Sequence, residues 1–150
     1  MTLHFTEKEF QSRGKKVIES MKEKNLDALL LFRQESMYWL TGYDTFGYVF
    51  FQCLVFNSEG NKILLTRAAD LRQAQNTSNI KDIRIWVDRD NNNPAKELKS
   101  ILVELNLETK NLGVEYETYG LIGKNAMRLN NSLNNFAKLH DESFLVTNIV

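Results

Sequence analysis

The side chains that most often carry metal or acid–base chemistry are scarce in this sequence. Its 150 residues include two histidines, His4 near the amino terminus and His140 beside Asp141. Metal-assisted hydrolysis needs several His, Asp, Glu or Cys ligands that converge on one ion. Neither an HExxH motif nor an aspartate-rich metal loop is present. We therefore predict that both histidines lie on the surface and that the chain has no metal site of its own.

The cysteine and the glycines give no support to nucleophilic or phosphate chemistry. Cys53 is the single cysteine and lies in the apolar run 48–56, where a thiol acts as a small hydrophobic side chain and stays unreactive unless a cation activates it. Gly42 and Gly47 are too far apart for a GxGxxG phosphate loop. The sequence thus predicts no catalytic residue. One cysteine also excludes an internal disulfide, which favours a reducing, cytoplasmic location.

The most informative stretch runs from residue 36 to residue 48 and combines large aromatic side chains with a loop. Its first aromatic residues, at 38 and 39, are assigned to the packing of a short helix. The loop that follows is a candidate substrate pocket or interface, because aromatic side chains beside loops commonly line such sites. The candidate residues are Tyr43, Asp44, Thr45, Phe46 and Tyr48.

Composition limits the class of protein. The chain contains 19 Lys and Arg against 19 Asp and Glu, so no net field attracts nucleic acid or anionic lipid. No apolar run approaches the roughly 18 residues of a membrane span, and the amino terminus lacks the features of a secretory signal. A hydrophobic content of 43% over 150 residues suits one globular domain. We expect a cytoplasmic domain that binds neither nucleic acid nor membrane.

Local signals predict the elements that must hold the candidate loop. A capping box starts a helix at Thr6, Gly42 ends a second helix over 33–43, and Asn93 with Pro94 starts a third. Strands are predicted at 28–32, 48–56, 62–66, 83–87, 112–115 and 137–140, and further helices at 68–75 and 122–133. Because the turn-rich segment 57–61 predicts a hairpin, the fold class is α/β with a mixed sheet of about six strands and helices on both faces.

The order of several short phrases resembles the N-terminal domain of the creatinase/prolidase family of pita-bread enzymes. The phrases are LDALL at 26–30, YWLTGY at 38–43, KILLT at 62–66 and LGVE at 112–115. The resemblance covers nearly the whole chain and implies that residues 1–150 form a non-catalytic domain with a ribonuclease H-like motif. It also implies a second, catalytic domain, absent from this chain, whose two Asp, one His and two Glu bind two divalent metal ions such as Mn, Co or Zn. None of these ligands maps onto this sequence, and the apolar tail 144–150 falls about where the family's connecting helix begins.

The same resemblance implies a function for the candidate loop. In such families the N-terminal domain supports dimerisation, and the loop that corresponds to 43–48 approaches the active site of the partner subunit. The parent would be an Xaa-Pro dipeptidase or an enzyme similar to aminopeptidase P, which cleaves the bond preceding proline. The implied partners are the chain's own C-terminal catalytic domain and a second copy. Phe46 and Tyr48 would shape the substrate pocket, and Asp44 would meet a substrate amine or a cation of the partner.

Other functions stay open from the residues alone. The same domain is expected in non-peptidase relatives of the creatinase, ectoine hydrolase or lyase type. A stand-alone dimerisation module is a second interpretation. A nuclease is a third, because ribonuclease H-like folds also have a mixed sheet flanked by helices, and its metal ligands would be Asp27, Glu115 and Asp141.

Overall fold

Helices and strands alternate along the chain in the computed structural model, which describes residues 3–45, 47, 50–87 and 89–150. The helices are α1 (Glu7–Glu23), α2 (Gln34–Thr41), α3 (Leu71–Thr77), α4 (Pro94–Glu104), α5 (Gly123–Leu133) and α6 (Leu145–Ile149). The strands are β1 (Ala28–Leu31), β2 (Cys53–Asn57), β3 (Lys62–Arg67), β4 (Asp82–Trp86), β5 (Asn111–Val114) and β6 (Lys138–Asp141).

The strands form one six-stranded sheet in the order β4-β3-β2-β1-β5-β6. Strand β2 is antiparallel to both β1 and β3, whereas the pairs β3–β4, β1–β5 and β5–β6 are parallel. The predicted hairpin therefore makes the sheet mixed, as expected. Because β2 runs against the other described strands, it starts where they end. We call this side, where their carboxyl termini meet, the carboxyl end of the sheet.

Helices cover both faces of the sheet. Leu30 and Phe32 point into one core, which α4 and α5 close, while Leu29 and Leu31 point into a second core, which is closed by α1, α2, α3 and α6. Side chains alternate between the faces of a strand, so a strand buried on both faces needs apolar residues at successive positions. This explains the continuous apolar run of β1 and confirms the predicted fold class.

Local capping signals position the helices as predicted. Thr6 caps α1, with its Oγ1 accepting a hydrogen bond from the backbone N–H of Glu9 at 3.1 Å. Gly42 ends α2 in the left-handed conformation, with φ of 84°. Asn93 caps α4, with its Oδ1 accepting from the N–H of Ala95 at 3.1 Å. The two helix starts, at Thr6 and Asn93, and the helix end at Gly42 thus form as the sequence predicts.

The strand predicted at 48–56 is wrong over 50–52, since β2 begins at Cys53, and positions 48 and 49 lie outside the described residues. Cys53 pairs with Leu65, and the two residues of β3 that follow Leu65, Thr66 and Arg67, pair with β4. Residues 50–52 lie outside the strand ladders, and the carbonyl of Phe51 accepts a hydrogen bond from Nε1 of Trp86 at 2.8 Å. The strand was predicted to include 50–52 because this stretch is rich in aromatic residues.

The single helix predicted at 68–75 is also wrong. The chain forms a 3-10 turn over Ala68–Asp70 and then α3 over Leu71–Thr77. The break lies at Asp70, whose backbone takes φ of −99° and ψ of −3°. Its carboxylate is held by neighbouring side chains, as described below.

Candidate functional site

The described residues of the predicted site segment, 43–45 and 47, follow α2 at the carboxyl end of the sheet. Its start is fixed by Gly42, where a Cβ would come within 2.7 Å of the carbonyl oxygen of Thr77. The chain after Gly42 is also anchored to α3, because the backbone N–H of Asp44 donates to Oγ1 of Thr77 at 3.0 Å. The end of α3 therefore determines where the segment begins.

Tyr43, the first predicted site residue, is a core residue with 0% exposure. Its hydroxyl donates to Oε1 of Gln52 at 2.8 Å, and Oγ1 of Thr66 donates to the same oxygen at 3.3 Å. The side chain of Gln34 donates to the carbonyl of Tyr43 at 2.8 Å. Burial raises the pKa of the Tyr43 phenol. Tyr43 thus supports the segment from inside the domain.

Asp44 and Thr45 differ in exposure although they are adjacent. Asp44 is exposed, whereas Thr45 is buried. Oγ1 of Thr45 donates to Oδ1 of Asp70 at 3.2 Å and accepts from the N–H of Gly47 at 2.9 Å. The remaining predicted site residues, at 46 and 48, lie outside the described residues. Of the predicted residues that the structure describes, only Asp44 faces solvent.

Asp70 connects this segment to a neighbouring ion pair. Its Oδ2 accepts from Nε of Arg67 at 3.2 Å, and both side chains are mostly buried. The Arg67 guanidinium lies 3.5 Å from the ring centroid of Phe50, which is 40% exposed. The sequence contained the three-residue spacing of the pair, but the helix predicted at 68–75 placed Asp70 inside a helix. Arg67 and Asp70 were therefore not predicted as site residues.

A cleft of about 660 Å³ opens beside α6, where β1 and β5 end. Arg33 forms one wall, with its guanidinium donating to Oγ1 of Thr147 at 3.0 Å and to the carbonyl of Glu117 at 2.6 Å. The ring of Phe144 packs against the same guanidinium, and Tyr119 on the rim is 92% exposed. Arg33 thus ties α6 to the ends of the two strands, a role that the sequence did not indicate.

Glu115 is buried next to Arg33, directly after β5. Its Oε1 accepts from the backbone N–H groups of Phe32 and Arg33 at 3.0 and 2.9 Å, and its Oε2 accepts from Oγ of Ser36 at 2.6 Å. Burial raises the pKa of Glu115 to about 7, against the opposing effect of these donors. The carboxyl group therefore joins β5 to the end of β1 and the first turn of α2.

The three carboxylates proposed for a nuclease do not converge. Asp27 precedes β1 and Glu115 follows β5, and because these strands are parallel the two residues lie at opposite ends of the sheet. Oδ1 of Asp141 accepts from the N–H of Ser143 at 3.0 Å. In the ranges that the structure describes, no group of three or more His, Cys, Asp and Glu side chains could hold a metal ion. These three residues therefore do not form the metal site that the nuclease interpretation requires.

The two histidines and the cysteine lie where the sequence predicts. His4 and His140 are both exposed. Cys53 is fully buried, and burial raises the pKa of its thiol well above the ordinary value. A neutral, inaccessible thiol does not act as a nucleophile.

A family model for the creatinase/prolidase N-terminal domain matches residues 13–147. The chain belongs to this family. Among its relatives, the uncharacterized hydrolase/peptidase y4tM of Sinorhizobium fredii is 28% identical over 142 residues, which are 90% of this chain. The ectoine hydrolase of Halomonas elongata is 32% identical over 91 residues, which are 61% of this chain. The aligned parts make up 36% and 21% of those two proteins, so this domain spans about a third or less of their length.

Solved structures share the fold of this creatinase/prolidase N-terminal domain. An Xaa-Pro aminopeptidase chain of Streptococcus pyogenes superposes with a TM-score of 0.76 at 19% identity, covering 97% of this chain and 100% of that one. The N-terminal domain of the cytoplasmic peptidase PepQ of Mycobacterium tuberculosis gives 0.74 at 18% identity, with 93% and 98% covered. The prolidase of Thermococcus sibiricus gives 0.76 at 17% identity, with 93% of this chain but 36% of that one covered. The resemblance inferred from the sequence phrases is confirmed.

Proposed function

We propose that this domain is the accessory, non-catalytic N-terminal part of a metal-dependent Xaa-Pro peptidase of the prolidase or aminopeptidase P type. The observation that carries the proposal is the fold match, which covers at least nine-tenths of this chain and 36% of a full prolidase chain. The described residues do not offer a metal cluster. We therefore assign the two divalent ions, such as Mn, Co or Zn, to a separate catalytic domain, the main partner of this one.

The segment 43–48 is proposed to shape the substrate pocket of a partner subunit in a homodimer. Three features support this role: the described residues 43–45 and 47 follow α2 at the carboxyl end of the sheet, Tyr43 is held in the core, and Asp44 faces solvent. An exposed carboxylate attracts cations, so Asp44 would meet a substrate amine or a cationic side chain of the partner. Phe46 and Tyr48, which lie outside the described residues, would supply apolar pocket walls.

The first experiment addresses the parent enzyme. The coding region downstream of Val150 is sequenced, and the protein it encodes together with this domain is assayed with Mn²⁺ on Xaa-Pro dipeptides and longer Xaa-Pro peptides. We expect a pita-bread domain with two Asp, one His and two Glu ligands, and cleavage next to proline. A stop codon directly after Val150, or a downstream domain without this ligand set, contradicts the proposal.

The second experiment addresses the pocket. Asp44→Asn and Phe46→Ala in the two-domain enzyme should raise KM for the substrate, because both changes alter the surface presented to it. Asp82→Asn is the matched control, since Asp82 is a half-exposed carboxylate paired with Arg84 on an outer strand. Unchanged KM and kcat in both site variants would contradict a pocket role for the segment.

Dimerisation is tested on the chain by itself. Sedimentation of the 150-residue protein over a range of concentrations should show a monomer–dimer equilibrium if the domain carries a self-sufficient interface. A monomer at every concentration would assign dimerisation to other parts of the enzyme.

A non-peptidase activity is the second candidate, because the ectoine hydrolase relative is 32% identical over its aligned part. The two candidates differ in substrate and are separated by one assay. The two-domain enzyme is offered ectoine and an Xaa-Pro dipeptide in parallel, and the preferred substrate decides between them.

We also infer a cytoplasmic location. The inference is supported by the single, buried, unpaired cysteine, which suits a reducing compartment. Within the described residues, none of the helices combines the length and the apolar character needed to cross a bilayer. Fractionation of cells expressing the complete protein would test the location.

A further inference from the structure

Asp70 uses its carboxylate in an unusual way for its position. It occupies the N-cap of α3, where an aspartate ordinarily accepts a hydrogen bond from a backbone N–H two or three residues further on. No such capping bond is present. Its two oxygens instead accept from Oγ1 of Thr45 and from Nε of Arg67, each at 3.2 Å. The side chain therefore serves the neighbouring segment and not its own helix.

Gly47 packs directly on this carboxylate. A Cβ at Gly47 would lie 2.6 Å from Oδ1 of Asp70 and 2.8 Å from its Cγ, closer than real Cβ contacts. The N–H of Gly47 also donates to Oγ1 of Thr45 at 2.9 Å. Because Thr45 and Asp70 are both buried, water competes little for these bonds. Gly47, which has no Cβ, thus allows the backbone to lie this close to the carboxylate of Asp70.

Arg67 extends the contact to the far side of the segment. Its guanidinium pairs with Asp70 and lies over the ring of Phe50, whose backbone N–H donates to the carbonyl of Gly47 at 3.0 Å. Described residues on both sides of positions 48 and 49 are therefore linked to one buried carboxylate.

We propose that Asp70 is the positioning residue for Thr45, Gly47 and Phe50 and thereby fixes the part of the segment that follows Asp44. The catalytic consequence rests on the proposed function, whereas the anchoring itself concerns this domain alone. Without the carboxylate, Thr45 loses its acceptor and Arg67 its partner. The segment then moves while the sheet keeps its fold.

The first test measures backbone hydrogen exchange by NMR on the 150-residue chain. Asp70→Ala should speed exchange at Gly47 and Phe50 about tenfold, the effect of losing a net hydrogen bond, while amides of β1 and β5 stay protected. Asp70→Asn keeps an oxygen for Thr45 and should restore part of the protection. Asp82→Ala, which removes a half-exposed carboxylate on β4, should leave both amides unchanged. Equal exchange in Asp70→Ala and the wild type overturns the proposal.

A double-mutant comparison provides a second, independent test. Gly47→Ala alone should lower the Tm, because the added methyl group collides with the carboxylate of Asp70. In an Asp70→Ala background the same methyl group has room, so it should lower the Tm much less. An equal effect of Gly47→Ala in both backgrounds would show that Asp70 does not hold Gly47 and would overturn the proposal.

A kinetic test separates the anchoring from the proposed function. In the two-domain enzyme, Asp70→Ala should raise KM severalfold with kcat nearly unchanged, and Asp70→Asn should recover part of the loss. Faster exchange together with a raised KM supports both ideas. Faster exchange with unchanged KM confirms the anchor but refutes the pocket role of the segment and with it the inferred effect on substrate. Unchanged exchange refutes the anchor whatever the kinetics show.

Discussion

Glu115 makes the stability of this domain dependent on pH in a direction opposite to that of most carboxylates. The group is buried after β5, where its oxygens accept from Phe32, Arg33 and Ser36, and its pKa is raised from 4.5 to about 7. Glu115→Gln keeps the shape and an acceptor oxygen but removes the titration. Comparing this variant with the wild type isolates the effect of one proton.

The sign follows from which state holds the proton. Between the unfolded pKa of 4.5 and the folded pKa of about 7, the folded protein keeps the proton on Glu115 while the unfolded chain has released it. The unfolded state then binds fewer protons, so the free energy of unfolding falls as pH rises. Each pH unit in this window changes it by about 1.4 kcal/mol. The contribution of Glu115 should therefore fall by roughly 3 kcal/mol from about pH 4 to about pH 8.

The assay is urea unfolding followed by circular dichroism at several pH values. The difference in free energy of unfolding between the wild type and Glu115→Gln should shrink or change sign as pH rises through this window. Glu104→Gln on α4 is the control, because that carboxylate is exposed. A wild-type-minus-variant difference constant within roughly 0.5 kcal/mol, the usual scatter of surface substitutions, would refute the assignment of a raised pKa to Glu115.

Further predictions concern thiol reactivity and helix ends. Cys53 should not react with a thiol reagent in the native protein but should react fully once urea unfolds it, because it is buried and its pKa is raised. Gly42→Ala should cost at least about 1–2 kcal/mol of stability, owing to its positive φ and the contact with Thr77, whereas Gly123→Ala, which meets open space, should cost nothing measurable by the same unfolding assay. Thr6→Ala should lower the Tm and remove about 1 kcal/mol, because α1 loses its cap.

The layered architecture was predictable because the signals that define it are local. The apolar run of β1 specifies a strand buried on both faces, and the turn residues 57–61 specify the hairpin that makes the sheet mixed. The caps Thr6 and Asn93 mark helix starts within a few residues of themselves. Each signal depends on residues that lie less than about two helical turns apart in the sequence, which is the range over which capping and turn chemistry operates.

The candidate site was only partly predictable because its contacts join distant positions. Tyr43 and Thr45 have types and neighbours typical of a loop, and nothing local shows that Gln52 or Asp70 would bury them. Glu115 was noted as a carboxylate, yet its role depends on donors that lie about eighty residues earlier in the chain. Long-range polar contacts leave no periodic trace in a single sequence, so the anchors of the site emerged only from the fold.

The central position of β1 also constrains the order in which the domain can be made. Its pairing with β2 closes a short stretch of sequence, but its second neighbour, β5, begins only at Asn111. During synthesis β1 therefore exposes an unpaired edge until most of the domain has left the ribosome, and open edges of this kind recruit other chains. Completed β6, by contrast, ends the sheet with the exposed side chains of Lys138, His140 and Asp141. A fragment truncated before residue 111 should therefore aggregate where the whole domain stays dispersed.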